Sequence, residues 1–165
     1  YRLFIPMAKK SFKRIPKLKP LGTYKGKYKV QNKNKYIGDA SNVIYRSNWE
    51  KQAFKYCESA SWIKAWGSEV TIIPYICKTD NRPHRYYMDL TIVTENDDVL
   101  LVEIKPAKQT KRPIIKKRTK QTLNEALTYT KNESKWLATK EICKRKGWRF
   151  EIWTEHHLKS LGCKI

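Results

Sequence analysis

Between Tyr1 and Gly38 the sequence has no aspartate or glutamate, and none occurs between Lys105 and Lys120. These two gaps leave 36 Lys and Arg against 15 Asp and Glu in 165 residues, a formal charge of +21 and a pI near 9.9. A surplus of one sign repels itself, and a polyanionic partner relieves it. No apolar run approaches the roughly 18 residues that would span a bilayer, and no secretory h-region is present. The cations do not oppose one apolar helical face, as a membrane-surface helix requires. They alternate instead with aromatics such as Tyr24, Tyr28, Tyr36, Tyr86 and Tyr87, the mixture that suits nucleic acid. Cys57, Cys77, Cys143 and Cys163 form no CxxC pair, which argues against a zinc site or a dense disulfide framework and for free thiols in a reducing compartment. Nor is there an internal repeat, or a Gly/Ser- or Pro-rich linker after the first forty residues. One domain, 39–165, is expected behind an extended basic arm, 1–38.

The arm gathers Lys9, Lys10, Lys13, Arg14, Lys17, Lys19, Lys25, Lys27, Lys29, Lys33 and Lys35 around Pro6, Pro16 and Pro20. It reads as a strap that neutralises phosphates, against the plainer role of a solubilising tail. Beyond Gly38 the pattern turns globular. Ser47 and Glu50 form a Ser-x-x-Glu helix start, and Trp49, Ala53, Phe54 and Cys57 make an apolar stripe, so a helix is expected over about 48–59. The segment 61–68 reads as a loop, and 69–76 as a strand that ends or lies at an edge because of Pro74. Strands over 85–94 and 99–105 should form an antiparallel hairpin across Asn96, Asp97 and Asp98, the second being central because it is almost continuously apolar. Leu123, Ala126, Leu127 and Thr130 recur at helical spacing. A second helix over about 133–146 should stop at Gly147, and 148–154 alternates as a strand. Together these give an α/β fold with a mixed sheet flanked by helices.

Within this frame Glu103 and Lys105 stand two residues apart on one strand, so both point to the same face. Asp89, on the preceding strand, can come opposite Glu103 across the hairpin. Two carboxylates so placed can share a divalent metal, Mg²⁺ or Mn²⁺, with the backbone carbonyl of Ile104 between them as a further oxygen donor. Lys105 would then stand beside the attacking water or the phosphate, either stabilising the anionic transition state or helping to deprotonate the water. Asp89 lies between Met88 and Leu90 in a strand, where aspartate is disfavoured unless something needs it. The plain alternative for Glu103 and Lys105 is a buried ion pair.

An Asp followed by Glu-x-Lys on an apolar strand resembles the PD-(D/E)XK nuclease signature, although Met88 stands where that signature has proline. The order Tyr45-Arg46-Ser47-Asn48-Trp49-Glu50, Pro83-His84-Arg85-Tyr86-Tyr87-Met88-Asp89 and Val102-Glu103-Ile104-Lys105-Pro106 resembles the TnsA-type endonuclease pattern and is similar to the head completion nucleases of tailed bacteriophages. Tyr36-Ile37-Gly38, the basic arm and the closing run from Lys146 to Glu155 extend the likeness over nearly the whole chain. The resemblance implies a restriction-endonuclease-like fold and a metal-dependent DNA endonuclease, with Glu50 joining Asp89 and Glu103 around the metal and Lys105 as the catalytic lysine. It also implies a role in finishing the DNA-filled phage head, in the host cytoplasm during assembly or retained in the virion, with portal or neck proteins as partners.

Without that pattern Glu50 is explained by a helix cap alone. His84 and Arg85 open the strand of Asp89 and either contact phosphate or simply face solvent. Lys108, Lys111, Arg112, Lys116, Lys117 and Arg118 follow the catalytic strand directly and are expected to straddle the backbone of double-stranded DNA. Tyr86 and Trp136 need nothing beyond core packing. Two other functions compete: a DNA-binding head or neck protein that keeps the fold without cleavage, and a transposon-end endonuclease, for which the chain is too short to carry a partner domain.

Overall fold

A computed structural model describes residues 24–165. Of the expected arm, residues 1–23 lie outside the described residues. Residues 24–38 are seated on the domain rather than extended from it. Strand β1 (Gly26–Tyr28) pairs antiparallel with β2 (Val43–Tyr45), a single 3-10 turn spans Lys33–Lys35, and Tyr36 bridges to Trp66. Apolar side chains that interrupt the basic run are responsible, since Tyr28 and Val30 are buried in the main core.

Helix α1 (Asn48–Ser59) begins where Ser47 accepts the Glu50 N–H at 3.1 Å, and its Ala53, Phe54 and Cys57 are buried. The segment expected as a loop is instead β3 (Ile63–Gly67), because Ile63 and Trp66 are core residues and the strand pairs antiparallel with β6. Then follow β4 (Ile72–Cys77), β5 (Arg82–Tyr87), β6 (Leu90–Thr94) and β7 (Val99–Ile104). The single strand anticipated over 85–94 is thus two. β5 pairs with β4 along its whole length in a separate ribbon, whereas β6 joins the main sheet. The break falls at Met88 and Asp89, where the Met88 N–H donates to the Thr71 carbonyl and the Glu69 N–H to the Met88 carbonyl, both at 3.0 Å.

The two helices expected after residue 120 are one, α2 (Lys120–Lys146), since no Gly or Pro intervenes to end the first. The polar residues in its middle keep to the helix: Thr130, Ser134 and Thr139 each donate a hydroxyl to the carbonyl four residues back. Gly147 closes it at φ 68°, in the left-handed region where a side chain would be strained. The chain returns as β8 (Arg149–Trp153) and ends in α3 (Glu155–Ser160).

The main sheet runs β3-β6-β7-β8, antiparallel at its first two contacts and parallel at the last. A parallel neighbour requires a crossover, and α2 provides it. Alternation along β7 sorts the two faces. Leu100, Val102 and Ile104 join α1 and α3 in one core through Phe54, Cys57 and Leu158; Leu101 turns to the other, with Ile73, Tyr86, Met88 and Cys143. The mixed α/β sheet flanked by helices is therefore present. Phe54 is fully buried against Tyr28 and Trp66. Phe54→Ala should cost about 3–5 kcal/mol, read as a lower urea midpoint; a loss below 1 kcal/mol would mean that the site collapses freely.

Candidate active site

Pairing between β6 and β7 stops at Leu90 and Val102. One step further, continuing the register sets Asp89 opposite Glu103, on the face that carries Leu101 rather than Val102. β6 has already turned away, so the next backbone donor of β7 has no strand partner. Asp89 takes its place: its Oδ2 accepts the Ile104 N–H at 2.7 Å. The N–H and C=O of one strand residue face the same edge. The Ile104 carbonyl therefore opens toward Asp89, while the Lys105 N–H faces the opposite edge and donates to the Trp153 carbonyl at 3.1 Å.

Glu103 is only 2 % exposed, and both of its oxygens are engaged. Oε1 lies 2.7 Å from Lys105 Nζ, and Oε2 accepts the Tyr86 hydroxyl. Tyr86 arrives from β5, so the ribbon outside the main sheet reaches into the site. Burial and then the negative charge of Glu103 push the Tyr86 hydroxyl far above its ordinary pKa, so it stays a donor. Lys135 Nζ of α2 stands 5.0 Å from the centre of the same ring.

Asp89 has its pKa raised well above 3.8, first by burial and then by the charges of Glu103 and Glu50; the Ile104 N–H and Lys105 oppose the rise. Glu50 is raised as well, chiefly by burial, against the lowering pull of its bonds to Arg46 and Ser47. Its Oε2 accepts the Arg46 N–H at 2.7 Å and its Oε1 lies 3.1 Å from Ser47 Oγ. Glu50 thus closes the start of α1 while its charge acts on Asp89. Two crowded carboxylates and a strand carbonyl are hard oxygen donors of the kind that Mg²⁺ or Mn²⁺ takes, and a cation there would relieve their mutual repulsion. These residues fit a divalent ion.

The remaining sequence candidates lie around this cluster. Lys108, Lys111, Arg112, Lys116, Lys117 and Arg118 are exposed on the loop between β7 and α2. His84 and Arg85 are exposed on β5, but His84 is already occupied: Nε2 meets Asp80 Oδ2 at 2.9 Å and the ring stacks on Tyr75. Cys77 Sγ lies within 4.8 Å of those two ligand atoms, a Cys-Asp-His grouping that the sequence spacing did not suggest. Tyr86 was also missed, because its role depends on the β4–β5 ribbon folding back toward β7. Tyr86→Phe should leave the fold intact and lower cleavage by about tenfold or more, with a weaker apparent metal affinity; unchanged kinetics would remove Tyr86 from the site.

The family model "TnsA-like endonuclease N terminal" matches residues 60–155, a span that contains Asp89, Glu103, Ile104 and Lys105 and leaves Glu50 outside. The head completion nuclease of Enterobacteria phage T4 is 37% identical over 146 residues, covering 86% of this chain and 97% of that protein. No solved structure matches. With a family model over more than half of the chain and a relative aligned along nearly its own full length, this protein belongs to the TnsA-like endonuclease family, alongside the phage head completion nuclease.

Proposed function

We propose that this protein is a DNA endonuclease that hydrolyses phosphodiester bonds with Mg²⁺ or Mn²⁺ and acts in phage head completion after packaging. The observation that carries the reading is the convergence of Asp89, Glu103 and the Ile104 carbonyl at the edge where β6 leaves β7, with Lys105 held beside them. The family and the name of the phage T4 relative support it. Among the described residues no helix is long and apolar enough to cross a membrane. Double-stranded DNA is the substrate that the charge suits, and portal or neck proteins are the partners proposed for a protein acting at that stage.

A bound divalent ion supplies positive charge for the pentavalent phosphate and an activated water. The protein's own groups do the rest. Asp89 and Glu103, with Glu50 behind Asp89, hold the negative pocket. Tyr86 fixes one oxygen of Glu103, and Lys105 bonds the other. This aims the ammonium of Lys105 at the mouth of the site, where it lies against the phosphate and balances the charge that builds there. Lys108, Lys111, Arg112, Lys116, Lys117 and Arg118 track the backbone on one side, with Arg85 on the other. The basic residues before residue 24 extend that contact as a strap.

Plasmid DNA should be nicked or cut with Mg²⁺ or Mn²⁺ and stay intact in EDTA, and Asp89→Ala or Lys105→Ala should lose on the order of 10²–10⁴ in rate while still binding DNA. Full cleavage by either variant would refute the site, and no cleavage by the wild type with any metal would refute the enzyme.

The raised carboxyls also fix a pH dependence. A group whose folded pKa exceeds its unfolded value adds stability below the unfolded pKa and loses it as pH rises through the folded one. For Asp89 and Glu50 that window opens at their ordinary 3.8 and 4.5 and extends upward. Melting of the metal-free wild type should therefore decline, relative to Asp89→Asn, as pH rises from about 4 toward neutral. Mg²⁺ should restore it at neutral pH and have little effect near pH 4. Parallel melting curves for the two proteins would contradict the shift.

A further inference from the structure

The loop that joins β7 to α2 carries a feature that phosphate contact leaves unexplained. Ile114 is 85% exposed and Ile115 45%, the former more than any other large apolar side chain among the described residues. They follow Pro113, which fixes its own φ, and sit between Lys111 and Arg112 on one side and Lys116, Lys117 and Arg118 on the other. Two adjacent isoleucines held in water by a loop of cations are costly unless a partner covers them.

The helix behind the loop does not cover them. An open groove of about 810 Å³ lies between the two, lined from the loop by Ile114 and from α2 by Gln121, Asn124, Glu125, Thr128 and Tyr129 rather than by an apolar stripe. Leu123 and Leu127 of α2 are exposed and lie outside that lining. Ile114 thus stands at the wall of a groove whose far side carries amides, one carboxylate and one aromatic ring, with Ile115 exposed beside it.

Charge identifies what covers them. Residues 111–120 hold six cations and no acid, so a second copy of this +21 chain would be repelled. DNA satisfies both demands, with phosphates for the cations and the stacked bases as the apolar phase. Side chains such as Ile, inserted between base steps, unstack and kink a duplex, and amides and aromatic rings are suited to the edges and faces of the bases so exposed. β7 ends at Ile104 and Ile114 lies nine residues beyond Lys105, so the segment that carries the isoleucines runs directly on from the candidate catalytic strand.

Resting on the DNA endonuclease reading above, we propose that Ile114 and Ile115 form a wedge that enters the base stack next to the scissile phosphate, and that Gln121, Asn124 and Tyr129 receive the unstacked base. Cleavage is then directed to steps that unstack cheaply, pyrimidine–purine steps above all.

The test uses the full chain in EDTA, which withholds the metal, and a set of duplexes carrying 2-aminopurine at successive positions. Wild-type protein should raise the fluorescence several-fold at one or two positions. Ile114→Ala with Ile115→Ala should abolish the rise at saturating protein and weaken binding, while the salt slope and the melting midpoint stay the same. Lys116→Ala with Lys117→Ala should lower affinity and reduce the salt slope by about two while keeping the rise at saturation. With Mg²⁺, cut sites of the wild type should concentrate at pyrimidine–purine steps, and those of the isoleucine variant should spread. DNA bound without any rise, or an equal rise with the isoleucine variant, overturns the wedge and leaves the nuclease reading standing. Failure of the wild type to bind DNA overturns both.

Discussion

Two carboxylates that sit close together away from water must be neutralised, hydrogen-bonded or protonated, and the surroundings of Asp89 and Glu103 are arranged around that constraint. Three of the four elements that meet there contribute remedies. β7 offers the Ile104 N–H to Asp89 and the Lys105 ammonium to Glu103. β5 contributes the Tyr86 hydroxyl to Glu103, and α2 places Lys135 over that ring. The start of α1 adds a third acid, Glu50, which deepens the problem for Asp89. Burial first, and then the charges of Glu103 and Glu50, raise the Asp89 carboxyl, and a divalent ion would relieve that strain.

How legible this was in the sequence differs by element. The start of α1, the β6–β7 hairpin, the cap at Gly147 and the Glu103–Lys105 pair rest on local signals: a cap residue, a turn, a left-handed glycine and a two-residue repeat. Local rules reached them. β3 was hidden because Trp66 and Gly67 look like loop residues until something pairs with them, and its partner β6 lies more than twenty residues on. The division of β5 from β6 was hidden for the opposite reason. Residues 85–94 are continuously compatible with a strand, and only the backbone bonds of Met88 to Thr71 and Glu69 show that the chain changes sheets there. That same change frees the edge of β7 for Asp89. The residue that sequence reasoning rated as needing a special purpose stands where its account of the strand failed. The Tyr86 contact was unreadable because it depends on the same turn.

The loop after Lys105 illustrates how far charge alone leads. Counting cations places the backbone of a nucleic acid beside it, and nothing in that count requires isoleucine. Exposure turns the composition into a geometry: the apolar pair stands in water on the basic loop, while the facing side of the long helix carries amides, one carboxylate and one aromatic ring. On the reading proposed above, affinity and selectivity would be carried by different atoms of one short segment and could vary independently.

One consequence of the parallel pairing of β7 with β8 concerns the order in which the chain leaves the ribosome. Glu103 and Ile104 pair with Ile152 and Trp153, and the Lys105 N–H bonds the Trp153 carbonyl, across the whole of α2. A nascent chain that has emerged only through α2 therefore already holds every residue of the candidate chemistry, but its strand β7 still has one bare edge. Parallel pairing over some fifty residues is slow to close and comes late. A candidate site whose strand waits for β8 would be completed late, so unfinished translation products would carry its residues without its architecture, a delay fuse written in topology rather than in an inhibitor.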